Sequence, residues 1–318
     1  SWVDPDRMAV TNPAGHDRAT RGDGADTGTQ RGHRSRTDHG SRGEYRVAGA
    51  WTRIAFTPCT CRIASDHAMK QIDFDLTGPI GSKATLGLIV LQADETLEQD
   101  FRRLFPDRDI AIHISRIPSG DTLTTDTIAA MKADLPRAAQ LFPRAAWFDV
   151  VGYGCTSGTT LIGAAAVADM VRQGVVAPFV TDPLTAALAA LKALAVLRIG
   201  LVTPYVATVA SPVRDAFVTA GFTVIDTVTF GEEEEAKVAR IAPASIMAAA
   251  RAASIGAEAI FLSCTNLRTL DIIAPLELEL GIPVLSSNQV LAWHMAQATG
   301  APLAADAPGR LFEVSASK

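Results

Sequence analysis

Val150-Val151-Gly152-Tyr153-Gly154-Cys155-Thr156-Ser157-Gly158-Thr159-Thr160-Leu161 is the stretch around which the 318-residue chain can be ordered. The apolar run over 147–151 reads as a buried strand. It ends in small and hydroxylic residues, and an alanine-rich run of helical character follows. Cys155 then falls at the carboxyl end of a strand, where open α/β sheets place their ligands. Backbone N–H groups and hydroxyls beyond it can face an anion at a helix N-terminus. The same surroundings lower a thiol pKa from about 8.5 towards neutrality. A lone cysteine is equally well explained by core packing.

A second copy tips that balance. Phe261-Leu262-Ser263-Cys264-Thr265-Asn266-Leu267-Arg268-Thr269-Leu270 repeats the pattern Cys-Thr-[Ser/Asn]-x-x-Thr-Leu after another apolar run. Two more landmarks recur in the same order. Leu86-Gly87-Leu88-Ile89-Val90 matches Ile199-Gly200-Leu201-Val202-Thr203, and the run around Pro178 matches the run around Pro283. The offsets drift from 113 at the glycines to 109 at the cysteines and 105 at the prolines. Three landmarks in one order argue for a duplicated unit.

Composition sets the outer limits. The chain is 48% hydrophobic and 20% charged with net charge −5, which fits a soluble globular protein of two ordinary domains and offers no basic excess for nucleic acid. The longest apolar region, 184–202, is broken by Lys192 and Arg198, so it reads as helix plus strand rather than a membrane span. Four cysteines make no disulfide framework, and a reducing cytoplasm is the expected compartment. Residues 1–68 are rich in Gly, Arg, Asp, Thr and Ser without apolar periodicity, and are expected to be a disordered, dispensable leader, with the natural start at Met69. Cys59, Cys61 and His67 lack a second Cys/His pair at zinc spacing.

From 84 onward, strands and helices alternate. Strands are expected at 85–91, 110–114, 147–151, 177–181, 199–203, 223–229, 259–263 and 283–286. Helices are expected at 95–104, 122–141, 160–172, 211–220, 242–254, 269–279 and 288–299. The expected fold is therefore α/β: two duplicated, flavodoxin-like lobes, each a parallel sheet flanked by helices, with a cleft between them. The first lobe takes 84–182 plus 288–318, and the second 183–287. The run Glu232 to Glu235 reads as a solvated face or helix start, while His294 and Trp293 read as packing residues.

Two equivalent strand ends across a cleft would bring Cys155 and Cys264 to opposite sides of one ligand. Such a pair suits inversion of a stereocentre: one thiolate removes a proton and the other thiol returns one to the opposite face. Thr156, Ser157, Thr265, Asn266 and nearby N–H groups are the candidate donors for the developing charge. No dinucleotide, P-loop or metal motif is present, so neither a cofactor nor a metal is expected. Arg268 stands too close to Cys264 for a phosphatase loop. A disulfide joining the two thiols would disable the cycle.

The Cys-Thr-Ser and Cys-Thr-Asn motifs, with Thr203-Pro204-Tyr205 between them, resemble the aspartate/glutamate racemase superfamily, in particular its maleate cis–trans isomerases and arylmalonate decarboxylases. The resemblance covers about 86–312. It implies cofactor-independent chemistry with Cys155 and Cys264 as catalytic thiols, and with Tyr205 and the hydroxylic residues holding carboxylates. The resembled decarboxylases keep only the second cysteine, so Cys155 speaks against decarboxylation. The isomerases carry an asparagine after the first strand, where this chain has Leu91-Gln92-Ala93-Asp94-Glu95-Thr96. Asp94 in that place would repel a dicarboxylate and pair with an ammonium group; alternatively, it caps the next helix. That string and 267–287 are similar to racemase-like proteins of bacterial ectoine utilisation, which implies a diaminobutyrate-type substrate.

The expected function is thus a cofactor-independent racemase or epimerase of a small amino-acid derivative. Its partners are a small carboxylate or amino-acid derivative and, potentially, further copies of the chain, with no nucleic acid or membrane. The alternatives are maleate-type cis–trans isomerisation through a covalent cysteine adduct, arylmalonate-type decarboxylation, and a non-catalytic small-molecule binding protein.

Overall fold

The computed structural model describes residues 69, 71–122 and 124–314. The expected leader and its Cys59, Cys61 and His67 lie outside the described residues. The chain divides into a unit of residues 1–72 and a unit of residues 73–318. In the first, Met69, Gln71 and Ile72 are exposed and belong to no regular element.

The second unit holds two four-stranded parallel sheets. In order along the chain come β1 (Ala84–Leu91), α1 (Leu97–Leu104), β2 (Ile110–Ile117), α2 (Thr125–Gln140) and β3 (Val150–Gly154). Next are α3 (Thr156–Ile162), α4 (Ala164–Gly174), β4 (Phe179–Thr181) and α5 (Pro183–Ala193). The second half runs β5 (Arg198–Thr203), α6 (Ala207–Thr219), β6 (Thr223–Thr229), α7 (Glu235–Val238), α8 (Pro243–Ala253) and β7 (Ala259–Leu262). It ends with α9 (Leu270–Leu280), β8 (Val284–Ser286) and α10 (Ser287–Thr299). The strand orders are β2-β1-β3-β4 and β6-β5-β7-β8. The two lobes therefore repeat one topology.

The central strands are buried along their whole length, as parallel strands covered by helices must be. The landmark glycines have a steric reason. A Cβ on Gly87 would lie 2.8 Å from the Val151 side chain, and one on Gly200 would collide with the Ala253 carbonyl of α8. Both sheets thus use a glycine where a neighbour presses on the central strand. Helix α10 leaves the second sheet and packs on α1, β3 and α5.

Two local readings are corrected. The third strand begins at Val150 rather than 147, because Trp147 is solvent-exposed and the Gly-Tyr-Gly segment continues the ladder beside β1. The single helix read at 160–172 is two. Gly163 sits at φ 94 between α3 and α4, a backbone that breaks the helical run, and α3 starts directly after Cys155.

Candidate active site

Cys155 and Cys264 leave equivalent strands. Cys155 follows β3 and caps α3, with its Sγ accepting the Gly158 N–H at 3.1 Å and lying 3.7 Å from Ser157 Oγ. Cys264 follows β7 by one residue and has φ 137, a conformation that residues with a Cβ rarely adopt. Such strain persists where the surroundings enforce it and is concentrated at functional sites.

Hydrogen bonds stitch the two turns together. Thr265 Oγ1 donates to the Gly154 carbonyl at 3.2 Å, reaching from one cysteine turn to the other. Ser287 Oγ accepts the Cys264 N–H at 3.0 Å and is 2.9 Å from Thr156 Oγ1. Each thiol also has its own phenol. Tyr205 lies beside Cys264, while Tyr153 sits between Cys155 and Met131 Sδ. Tyr205 lies within electrostatic range of both sulfurs, and the Glu235 carboxyl bears on both. The two sulfurs therefore share one centre. Both are free thiols, 3% and 5% exposed.

Burial governs the electrostatics. It pushes Cys155 up to about 11, against the Ser157 hydroxyl and Gly158 N–H that favour its thiolate. It pushes Cys264 well above the usual thiol value, with the Glu235 charge adding to the rise. The expectation of a thiol lowered by the helix N-terminus is thus overturned, because desolvation outweighs one N–H and a short helix. Burial likewise raises Asp94, and it raises Glu235 to about 7 against its bond to Asn266.

The remaining expected site residues fall into two groups. Asp94, Ser157 and Tyr205 stand at the thiols' centre with polar groups in reach of it. Thr156, Thr265 and Asn266 are also there, but the protein engages them. Asn266 Oδ1 accepts the Glu95 N–H at 2.9 Å, and its Nδ2 donates to Glu235 Oε2 at 2.9 Å. The Thr156 and Thr265 hydroxyls join the two cysteine turns. In this structure these three act as joints, not as free donors to a ligand. Of the two roles considered for Asp94, capping is seen: its Oδ1 accepts the Thr96 and Leu97 N–H groups at the start of α1, each at 2.8 Å, and its Oδ2 has no hydrogen-bond partner.

The acidic run is a helix start, α7 opening at Glu235, and in part a solvated face, as read; what that reading lacked is the burial of its last member. Glu233 and Glu234 are exposed, but Glu235 is 3% exposed and belongs to the site. The helical spacing of Glu235 with buried Val238 and Ala239 was the available signal. Ser287 and Tyr153 were also missed, since no pattern around them marks chemistry. His294 is a packing residue, 2.8 Å from Thr181 Oγ1 and edge-on to Phe179; Trp293 is core. Among the described residues, no group of three His, Cys, Asp or Glu could hold a metal ion.

Known proteins resemble this chain in sequence and fold. A family model described as arylmalonate decarboxylase matches residues 164–312. An arylmalonate decarboxylase of Bordetella bronchiseptica is 30% identical over 243 residues, spanning 74% of this chain and 98% of that protein. The chain belongs to the arylmalonate decarboxylase and maleate isomerase family. A maleate isomerase of Nocardia farcinica is 28% identical over 239 residues, 71% of this chain and 94% of that protein. A solved maleate cis–trans isomerase from the same organism, a cysteine-to-serine mutant with a covalently bound succinylcysteine intermediate, superposes with a TM-score of 0.65 at 27% identity. It covers 72% of this chain and 98% of its own. The chain is thus an enzyme of this family, whose named members include an isomerase and a decarboxylase. No helix among the described residues is long and apolar enough to cross a membrane.

Proposed function

We propose that the enzyme is a cofactor-independent racemase or epimerase of a small amino-acid derivative, with Cys155 and Cys264 as acid and base. The observation that carries this is the joining of two buried thiols' turns, one from each lobe, through Thr265 on the Gly154 carbonyl and Ser287 on the Cys264 N–H and Thr156. One sulfur, as thiolate, takes the proton from the substrate's stereocentre. The other, as thiol, delivers its proton to the opposite face, so the two protonation states exchange with each turnover. The carbanion's charge spreads onto the substrate carboxylate, where the Tyr205 phenol and Ser157 hydroxyl are the remaining donors. A second thiol at Cys155 supports isomerisation over decarboxylation. The string at 91–96 supports a diamino-acid derivative of the kind met in ectoine breakdown.

A second reading is maleate-type cis–trans isomerisation, favoured by the succinylcysteine in the Nocardia relative. There one sulfur adds to the double bond, the remaining single bond rotates, and the sulfur leaves.

Proton NMR in heavy water separates the two. Chiral amino acids, N-acetyl-diaminobutyrates and maleate are incubated with enzyme. Racemisation predicts that α-deuterium enters as the enantiomers interconvert. Cys155→Ser and Cys264→Ser should each abolish interconversion, yet each should keep exchange of the one enantiomer its surviving thiolate faces. Turnover of maleate with a cysteine adduct seen by mass spectrometry, and no α-exchange on any amino acid, would replace this proposal with the second reading.

A further inference from the structure

Two carboxyl groups stand at the thiols' centre, and proton transfer between the cysteines leaves both without a task. Asp94, 4% exposed, closes the loop between β1 and α1, and its Oδ2 is unpartnered. The Thr265 hydroxyl lies beside that carboxyl, but its single proton is directed to the Gly154 carbonyl. Glu235 comes from the other lobe, and Asn266 Nδ2 is the side-chain donor to its Oε2. The same nitrogen is 3.4 Å from the Ala93 carbonyl, so one amide spans the gap between Glu235 and the loop carrying Asp94. Each carboxyl bears electrostatically on Cys264, and the charge of Asp94 is felt at Glu235.

Nothing cationic from these two segments balances them. Arg116 is paired with Glu98 at 2.5 Å and hydrogen-bonds the Asp94 carbonyl; its charge also favours an ionised Asp94, but burial outweighs it and no guanidinium nitrogen bonds the carboxyl. Arg240 is paired with exposed Glu95 at 2.8 Å. Two buried acids without a counter-charge are unfavourable unless they hold protons or meet a cation. A dicarboxylate would add negative charge to this centre. A protonated amine would supply up to three N–H donors to the free Asp94 oxygen and to Glu235, and would replace the missing charge.

We propose that Asp94 and Glu235 form an ammonium receptor, one carboxylate from each lobe, which admits substrates carrying a protonated amine and rejects dicarboxylates that lack one. The assignment rests on the two-thiol proposal for where the reacting carbon lies, and names the class of substrate presented to it.

Binding rather than turnover tests it, using the full chain and calorimetry with matched pairs: aspartate against succinate, and 2,4-diaminobutyrate against glutarate. The wild type should bind at least one amine-bearing member ten-fold or more tightly than its partner. Glu235→Gln, which can still accept the Asn266 hydrogen bond, and Asp94→Asn should each weaken the amine-bearing probe by ten-fold or more. The double variant should lose the preference. Equal or tighter binding of succinate or glutarate by the wild type overturns the proposal, as does failure of every amine-bearing probe to bind. Should either variant fail to fold, the wild-type ratio alone decides. Amine preference without α-proton exchange would sink the racemase proposal and leave the receptor standing. Exchange without amine preference would do the reverse.

Discussion

Glu235 is a carboxyl in a place where a charge is unwelcome, and that has a measurable consequence. Burial raises it from 4.5 to about 7, while its value in the unfolded chain stays near that of a free glutamate. Between those two values the folded protein holds a proton that the unfolded chain has released. Stability therefore falls as pH rises from about 4.5 to about 7, and levels off above that. At 1.4 kcal/mol per pKa unit the loss has an upper scale of roughly 3 kcal/mol. Asp100, raised to about 6 mainly by burial and hydrogen-bonded by Asn288, contributes in the same direction at lower pH. Thermal melts of the wild type should therefore show Tm decreasing across pH 5–8, and Glu235→Gln should flatten most of the slope above pH 6. An unchanged slope in the variant would mean that Glu235 is ionised throughout. The sequence allowed a helix start here but not the burial, because four consecutive glutamates look like a solvated face. Only the helical turn that places Glu235 under Val238 and Ala239 removes the last of them from water.

At the level of elements, most of the fold was legible because parallel strands buried on both faces are written as apolar runs, as over 86–91 in β1, 199–202 in β5 and all of β7. The duplication was legible for a steric reason: Gly87 and Gly200 recur where neighbours crowd the central strands. What the pattern could not show was the turn after β3. Helical periodicity runs on through Gly163, and nothing local marks a helix that begins at the cysteine itself. That start matters, because it points the Gly158 N–H at the thiol. A methyl at position 158 would stand 2.8 Å from Cys155 Sγ and 2.6 Å from the Tyr153 hydroxyl. Real Cβ contacts are longer, so thiol or phenol must move. Gly158→Ala should reduce kcat by ten-fold or more while lowering stability by only about 1–3 kcal/mol, as other overpacked sites do. Steady-state kinetics and a urea melt on the same variant check both halves. Loss of folding with no effect specific to kcat would make the glycine a packing residue and nothing more.

For the whole molecule, the two thiols are sealed by contacts between segments far apart in the chain. Asn266 links the turn after β7 to the Glu95 N–H and to Glu235, and the Thr96 hydroxyl donates to its carbonyl at 3.0 Å. Asn288 joins Asp100 of α1 to the Thr265 carbonyl, each at 2.8 Å. A substrate reaches sulfurs that are 3% and 5% exposed only when some of these bonds part. Chemical modification of the thiols should follow the same rule. With burial pushing Cys155 up to about 11, its thiol is protonated at pH 7, and it is screened from solvent. A disulfide reagent such as 5,5′-dithiobis(2-nitrobenzoate) should therefore label Cys155 and Cys264 far more slowly than free cysteine, with a rate that stops rising once reagent outruns opening. Asn266→Ala removes the amide at the joint and leaves the Glu95 N–H and Glu235 without it, so opening becomes easier by about 1–3 kcal/mol. Labelling of that variant should speed up by ten-fold or more while its circular dichroism stays native. An amine-bearing ligand that closes the wild type should slow labelling again. Were Asn266→Ala labelled no faster, the segments it joins would not be the ones that part, and access to the thiols would have to run past the Asn288 side instead.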